Sequence, residues 1–226
     1  MTPIIVAVDG PAGSGKSSVS KEVARRLGFG YLDTGAAYRA LTWASMHLAG
    51  FTPEELAQKD LETDFDYAIS MDPNNYWVRV GDTDVTEEIR TSAVAESVSQ
   101  VARISEVRAF MKSLTHRLVD GSGLPGVIVE GRDITTVVAP EAEIRILLTA
   151  NEAVRLERRS AELSEASAAS VKRQVSERDA SDSKVVDFMT PAIGVQLVDS
   201  SDLNFAQTVS AVLAIVESGS PKETDD

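Results

Sequence analysis

The sequence predicts an α/β fold, a parallel sheet covered by helices on both faces. Three observations predict it. Residues 10–17 read Gly10-Pro11-Ala12-Gly13-Ser14-Gly15-Lys16-Ser17, a full match to the phosphate-binding loop pattern. The run before it, Ile4-Ile5-Val6-Ala7-Val8, is apolar and β-branched, and the run after it, Ser18 to Leu27, has helical spacing. From there on, strand-like and helix-like segments alternate, as they do where crossover helices lie over a parallel sheet.

The elements follow in order along the chain. The first helix spans about Lys16 to Leu27 and is stopped by Gly28. A short strand, Phe29 to Leu32, leads into Asp33-Thr34-Gly35, and a second helix runs from about Ala36 to Leu48, before Gly50. Thr52-Pro53-Glu54-Glu55 is a capping box with proline at the first helical position, so a third helix starts there. Residues 67–85 change character: Tyr67–Met71 and Tyr76–Val80 flank Asp72-Pro73-Asn74-Asn75, and Gly81-Asp82 follows. That pattern predicts a hairpin or three-stranded meander, inserted outside the main sheet. Helices resume over about 91–100 and 105–120, and Gly121 to Gly126 is a turn-rich break. Val127-Ile128-Val129 is a buried-type strand running into Glu130-Gly131-Arg132-Asp133, and Ile144 to Leu148 is another, with Asn151 as N-cap of the next helix. Two helices, about 152–162 and 170–177, flank a small polar link, Ser164 to Ala169, expected to be mobile. Val195 to Val198 is the last strand; Phe205, Val209, Val212 and Val216 give the final helix an apolar stripe. The tail from Ser218 to Asp226 has no core-forming residues and is expected to be disordered.

Composition narrows the class of function. At 226 residues with 43% hydrophobic and 25% charged residues, the chain fits one α/β domain with a small insertion. No apolar run approaches the roughly 20 residues that span a bilayer, and no basic segment followed by an apolar one opens the chain. Cysteine is absent, which excludes disulfides and thiolate metal sites and fits a cytoplasmic location. Net charge is −13, so a polyanion such as DNA or RNA is repelled at long range. Within this acidic chain Arg132, Arg155, Arg158, Arg159, Arg173 and Arg178 fall in one stretch. Such a cluster suggests a small anionic ligand; the alternative is a set of solvated helix faces paired with Glu152, Glu157 and Glu162.

The loop supplies the first chemistry. Its glycines let backbone N–H groups turn inward around phosphate oxygens, and the helix after it adds unpaired N–H groups and a partial positive charge. Lys16 would reach the outer phosphates and the Ser17 hydroxyl would hold Mg²⁺. The chain carries no Asn-Lys-x-Asp guanine reader, which argues against a GTPase switch. A short chain with an inserted unit and a downstream arginine cluster fits phosphoryl transfer to a small acceptor, where positioning and charge neutralisation carry the catalysis. Arginine suits that task because its planar fork grips phosphate in a bidentate manner.

Further motifs point to one family. They are Val8-Asp9-Gly10 through Ser17-Ser18, then Leu32-Asp33-Thr34-Gly35-Ala36-Ala37-Tyr38-Arg39, then Asp84-Val85-Thr86-Glu87-Glu88-Ile89-Arg90. Ser99-Gln100-Val101-Ala102, Val107-Arg108, Gly131-Arg132-Asp133-Ile134 and Glu177-Arg178-Asp179-Ala180-Ser181-Asp182-Ser183 complete the set. In these motifs, and over about residues 4–216, the chain resembles the bacterial cytidylate kinases, within the nucleoside monophosphate kinase family of P-loop kinases.

The resemblance implies transfer of the γ-phosphoryl group of ATP to CMP or dCMP, with Mg²⁺, in pyrimidine nucleotide metabolism. It implies a monomer that uses nucleotides rather than nucleic acid or membrane as partners. It implies one P-loop kinase domain over 1–220: a core at about 4–35, 120–150 and 190–217, a monophosphate-binding insert with a small β unit at about 36–119, and a helical lid at about 151–180. By position, Gly10, Pro11, Ala12, Gly13, Ser14, Gly15, Lys16, Ser17 and Ser18 would bind ATP phosphates, with Ser17 on the metal. Thr34, Arg39 and Arg108 would fix the CMP phosphate or its neighbourhood, and Ser99, Arg132, Asp133 and Asp182 would read cytosine and sugar. Arg155, Arg159 and Arg178 would clamp the transferring group, with Lys16 and Arg132 in the catalytic set. Cytosine offers an amino donor and ring acceptors on one edge, which a carboxylate, an arginine and a hydroxyl match.

Three departures stand out. Glu130 occupies a position where the family often has aspartate, and Lys184-Val185 stand where it commonly has threonine and arginine. The segment between Arg159 and Arg178 is short for a lid. Two other readings stay open from the sequence: a kinase for another small acceptor such as a sugar acid, and a nucleotide-binding module without transfer.

Overall fold

The structure is a computed structural model, and it describes residues 2–162 and 188–219. The expected lid beyond residue 162, the helix at 170–177, Arg173, Arg178, Asp182, Lys184 and Val185 lie outside the described residues, as do residues 220–226 of the expected tail; its first two residues, Ser218 and Gly219, are not disordered but end the last helix.

The main sheet has five strands: β1 (Ile4–Asp9), β2 (Gly30–Asp33), β6 (Gly126–Gly131), β7 (Ile144–Thr149) and β8 (Gln196–Asp199), in the order β2-β6-β1-β7-β8. β1 runs parallel to both neighbours, with Val8 opposite Glu130 on one side and Ile146 on the other, and β8 runs parallel to β7. A central parallel strand is buried on both faces and needs an unbroken apolar run. Val6, Ala7 and Val8 meet that need, each no more than 2% exposed although alternate residues face opposite sides. Helix α1 (Lys16–Leu27) buries Val19 and Val23 against the sheet and against the last described helix, Phe205–Gly219, which buries Val209, Val212 and Val216. Phe205, expected in that stripe, is 52% exposed, because it is the first residue of the helix and lies outside the packed turns.

The chain divides into two compact units, residues 1–31 with 123–226, and residues 32–122. The second is built on α2 (Thr34–His47), which packs on α5 (Ser92–Ala102), α6 (Ser105–Asp120) and the strand Val78–Val80. Short helices α3 (Pro53–Leu56) and α4 (Leu61–Asp64) precede a separate antiparallel sheet of β3 (Tyr67–Ile69), β4 (Val78–Val80) and β5 (Thr83–Asp84). This is the expected inserted meander, outside the main sheet. Its apolar side includes Phe65, stacked on Tyr67 at 5.5 Å and edge-on to Phe110 at 6.2 Å. The Thr52 capping box forms as read, with the Thr52 hydroxyl accepting from Glu55 N and the Glu55 carboxylate accepting from Thr52 N.

Two boundaries move for local reasons. β2 begins at Gly30, one residue later than expected, because the N–H groups of Gly28 and Phe29 both donate back to Ala24 O and close the helix end. α2 begins at Thr34, two residues early, because the Asp33 carboxylate accepts from Ala36 N and caps it. The sequence reading assigned nothing to 134–138, which form a single π-type turn between β6 and β7.

Candidate active site

β1 delivers the chain into the phosphate loop, and α1 leaves it from Gly15, a cap position with φ of 87° and no side chain to satisfy the first-turn amides. Two loop glycines are required by close approaches. A Cβ on Gly10 (φ 150°) would stand 2.0 Å from Leu148 O on β7, and one on Gly13 (φ 76°) would stand 2.6 Å from Arg155 O.

Four cationic side chains hold four carbonyls of this loop. Arg132 Nη1 donates to Gly10 O at 2.8 Å, Lys16 Nζ to Pro11 O at 3.1 Å, Arg155 Nη1 to Ala12 O at 3.0 Å and Arg158 Nη1 to Ser14 O at 3.2 Å. A trans peptide points its C=O and the following N–H in opposite directions, and no described peptide is cis. Tying the carbonyls of Pro11, Ala12 and Ser14 to cations therefore turns the N–H groups of Ala12, Gly13 and Gly15 the other way, as an anion cradle requires. The Ser14 hydroxyl is buried within the loop without a hydrogen-bond partner, a polar atom that a phosphate oxygen would satisfy.

Arg155 and Arg158 sit on α7 (Glu152–Glu162), which starts as expected with Asn151 Oδ1 accepting from Val154 N at 2.9 Å. Arg158 donates also to Ser200 Oγ and Ser200 O at 2.9 Å and to Leu203 O at 3.3 Å, so one guanidinium joins the phosphate loop to the turn after β8. Arg159 lies one helical turn beyond Arg155. Arg132 has a second contact, its guanidinium lying 4.4 Å from the centre of the buried Phe188 ring.

Ser17 Oγ donates to Glu130 Oε1 at 2.7 Å. The two groups are oxygen donors side by side at the mouth of the loop, a hydroxyl and a carboxylate 6% exposed at the residue level. Their chemistry fits Mg²⁺, a hard cation usually held by one or two protein oxygens together with substrate phosphates. Among the described residues no group of three or more metal-ligating side chains forms a site of its own. Asp9, at the end of β1, is 2% exposed, and burial pushes its carboxyl above the ordinary range against the pull of bonds from Thr135 and Ile134.

A second polar cluster lies within the unit of residues 32–122. Arg39 Nη2 donates to Asp33 Oδ2 at 2.6 Å, and Arg90 Nη2 lies 3.9 Å from the same oxygen. The Arg39 side chain is largely buried in this cluster, 11% exposed. Burial alone would raise the Asp33 carboxyl, but the charges of Arg39 and Arg90 and the bond from Ala36 N hold it below the ordinary range. Two guanidinium groups on one carboxylate leave a surplus positive charge. Thr34 opens α2 beside this cluster. The Tyr76 ring lies 5.6 Å from the Arg90 guanidinium, and the buried Tyr67 hydroxyl, which has no hydrogen-bond partner, is pushed well above the usual tyrosine range by burial and by Tyr76 and Asp33. Ser99 lies on α5 and Arg108 on α6.

The structure thus brings Lys16, Ser17, Arg132 and Arg155 onto one loop, and Thr34 and Arg39 onto the start of one helix. Sequence reasoning gave no role to Arg90, Phe188 or Asp9. Arg90 and Asp9 stand inside motifs already quoted, but pairing across distant segments is not visible in a linear pattern. Phe188 carries no motif at all.

Comparison with known proteins places the chain in a family. The family model described as cytidylate kinase matches residues 6–218. Cytidylate kinase from Cutibacterium acnes is 41% identical over 218 residues, covering 95% of this chain and 96% of that one. The cytidylate kinases of Streptomyces avermitilis and Mycobacterium leprae are 40% and 39% identical, covering 95% and 96% of this chain and 93% and 97% of theirs. A crystal structure of an uncharacterized protein from Eubacterium ventriosum superposes with a TM-score of 0.53 at 10% identity, over 95% of this chain and 99% of that one, a likeness of fold alone. With a parallel sheet, a phosphate loop and matches over nearly its whole length, the chain belongs to the cytidylate kinase family and is a phosphotransferase.

Proposed function

We propose that the chain transfers the γ-phosphoryl group of ATP to CMP or dCMP, releasing ADP and CDP or dCDP. An oxygen of the acceptor phosphate attacks the γ-phosphorus, and the bond to the β–γ bridging oxygen breaks as ADP leaves. The observation that carries the reading is the loop whose carbonyls are tied to Arg132, Lys16, Arg155 and Arg158, in a chain of this family.

The proposed roles follow from charge and reach. Residues 10–18 receive the triphosphate through their amides, and Lys16 neutralises charge on the outer phosphates as the bond breaks. Mg²⁺, held through Ser17 with Glu130 beside it, would draw charge from the β and γ oxygens. Arg159 and Arg178 close on the moving group, while Arg155, expected beside them, is bonded to Ala12 O and holds the loop that receives it. Arg39 and Arg108, with Thr34, take the acceptor phosphate, and Arg132, Asp133, Ser99 and Asp182 read the cytosine and sugar. Among the described residues no helix is long and apolar enough to cross a membrane, and we expect a cytoplasmic monomer with small nucleotides as its partners.

An ADP-coupled assay with a panel of acceptors tests the proposal. With ATP and Mg²⁺, CMP and dCMP should be turned over far faster than AMP, GMP or shikimate. A faster non-cytidine acceptor would show that the base-reading roles are wrong, and ATP binding with no turnover of any acceptor would leave a binding module.

A further inference from the structure

The residue before the phosphate loop is bonded to the segment proposed to read the acceptor. Asp9 ends β1, and its carboxylate accepts three hydrogen bonds: from Ile134 N at 3.0 Å with Oδ1, and from Thr135 N at 2.8 Å and Thr135 Oγ1 at 2.7 Å with Oδ2. These amides open the π-type turn 134–138, which is closed by Val137 N and Val138 N donating to Asp133 O at 2.8 and 3.0 Å. The residue at the cap position, Asp133, makes no side-chain cap bond to this turn; the cap comes from Asp9, 125 residues away in sequence. The next residue after Asp9 completes the link, because Gly10 O accepts from Arg132. The dipeptide Asp9-Gly10 therefore receives four hydrogen bonds from residues 132–135.

We propose that Asp9 is a positioning residue for the acceptor nucleotide: by capping the turn at Ile134 and Thr135 it fixes the backbone from which Arg132 and Asp133 project, and ties that backbone to the start of the phosphate loop. The inference rests on the proposed function for the identity of the acceptor. Its physical basis is the cost of an unsatisfied buried donor. Asp9 is buried, and so are Ile134 and Thr135. A neutral isostere cannot serve all three donors, since one of its two terminal atoms is itself a donor. The burial and the nearby Asp133 charge that raise the Asp9 carboxyl show what the charge costs, and three short bonds offset that cost.

The test uses the full chain with Asp9→Asn, and Thr135→Val as a milder variant that removes one bond. Amide exchange at residues 134 and 135, followed by NMR without nucleotide, should quicken at least about 10-fold in Asp9→Asn, the loss of one buried bond. In steady-state assays the KM for CMP should rise about 10-fold, while the dissociation constant of a fluorescent ATP analogue moves less than about 3-fold. The double variant should be little worse than Asp9→Asn, since both changes remove the same link. Equal losses for CMP and ATP, unchanged exchange, or additive effects in the double variant would overturn the inference. If Asp9→Asn does not fold, Thr135→Val decides by the same split between CMP and ATP. A wild-type chain that ignores CMP would instead refute the acceptor identity, and the exchange result would still report on the cap.

Discussion

Single residues set the charges that the chemistry needs. Lys16 donates to Pro11 O at 3.1 Å, which holds its ammonium against the phosphate loop. Lys16→Ala should cut turnover by several orders of magnitude with an unchanged melting curve and circular dichroism spectrum, because the lost charge matters most in the transition state. Asp33 gives a prediction in pH. Its carboxyl titrates below the usual value of 3.8, so the stability it contributes is complete above that value and is lost as pH falls through the folded value. Asp33→Asn should therefore cost about 1–3 kcal/mol near neutral pH, with the gap to wild type closing only below about pH 4. Taking the difference between the two chains removes the opposite slope of Asp9, whose pKa is raised. A gap that stays constant from pH 6 down to pH 3, measured by urea denaturation, would show that the two arginines do not hold the carboxylate.

At the scale of elements, the sequence made legible whatever local chemistry dictates. The loop, α1 with Gly28 beyond it, the Thr52 capping box, the Asn151 cap and the separate meander all follow from residues within a few positions of one another. The parallel strands β1, β6 and β7 were legible because burial on both faces demands unbroken apolar runs. What the sequence concealed depends on distant partners. The π-type turn at 134–138 is held by Asp9, and the helix bearing Arg155 and Arg158 turned out to support the phosphate loop from its carbonyl side. Their spacing near Glu152 and Glu157 had admitted a surface ion-pair reading instead. Arg158 is the sharper case, with four bonds to the loop and to the turn at 200–203. Arg158→Met keeps most of the side-chain length and removes the donors. It should cost about 2–4 kcal/mol of stability and weaken ATP binding, read by thermal denaturation with and without ATP. A variant as stable as wild type that binds ATP normally would show the contacts to be incidental.

At the scale of the molecule, an acidic chain of net charge −13 places surplus positive charge at two points, one in each compact unit. One surrounds the phosphate loop and the other centres on Asp33 with Arg39 and Arg90. Small anions such as nucleotide phosphates suit such points. The family match gives this pattern its chemistry, a phosphotransferase, and the loop gives it a place to start. The most direct test follows the phosphoryl group itself. The chain is incubated with Mg²⁺, CMP and ATP labelled in the γ-phosphate, and the products are separated. The label should appear in the β-phosphate of CDP in step with ADP formation; label that stays in ATP, or emerges as inorganic phosphate while CMP is unchanged, would contradict the account.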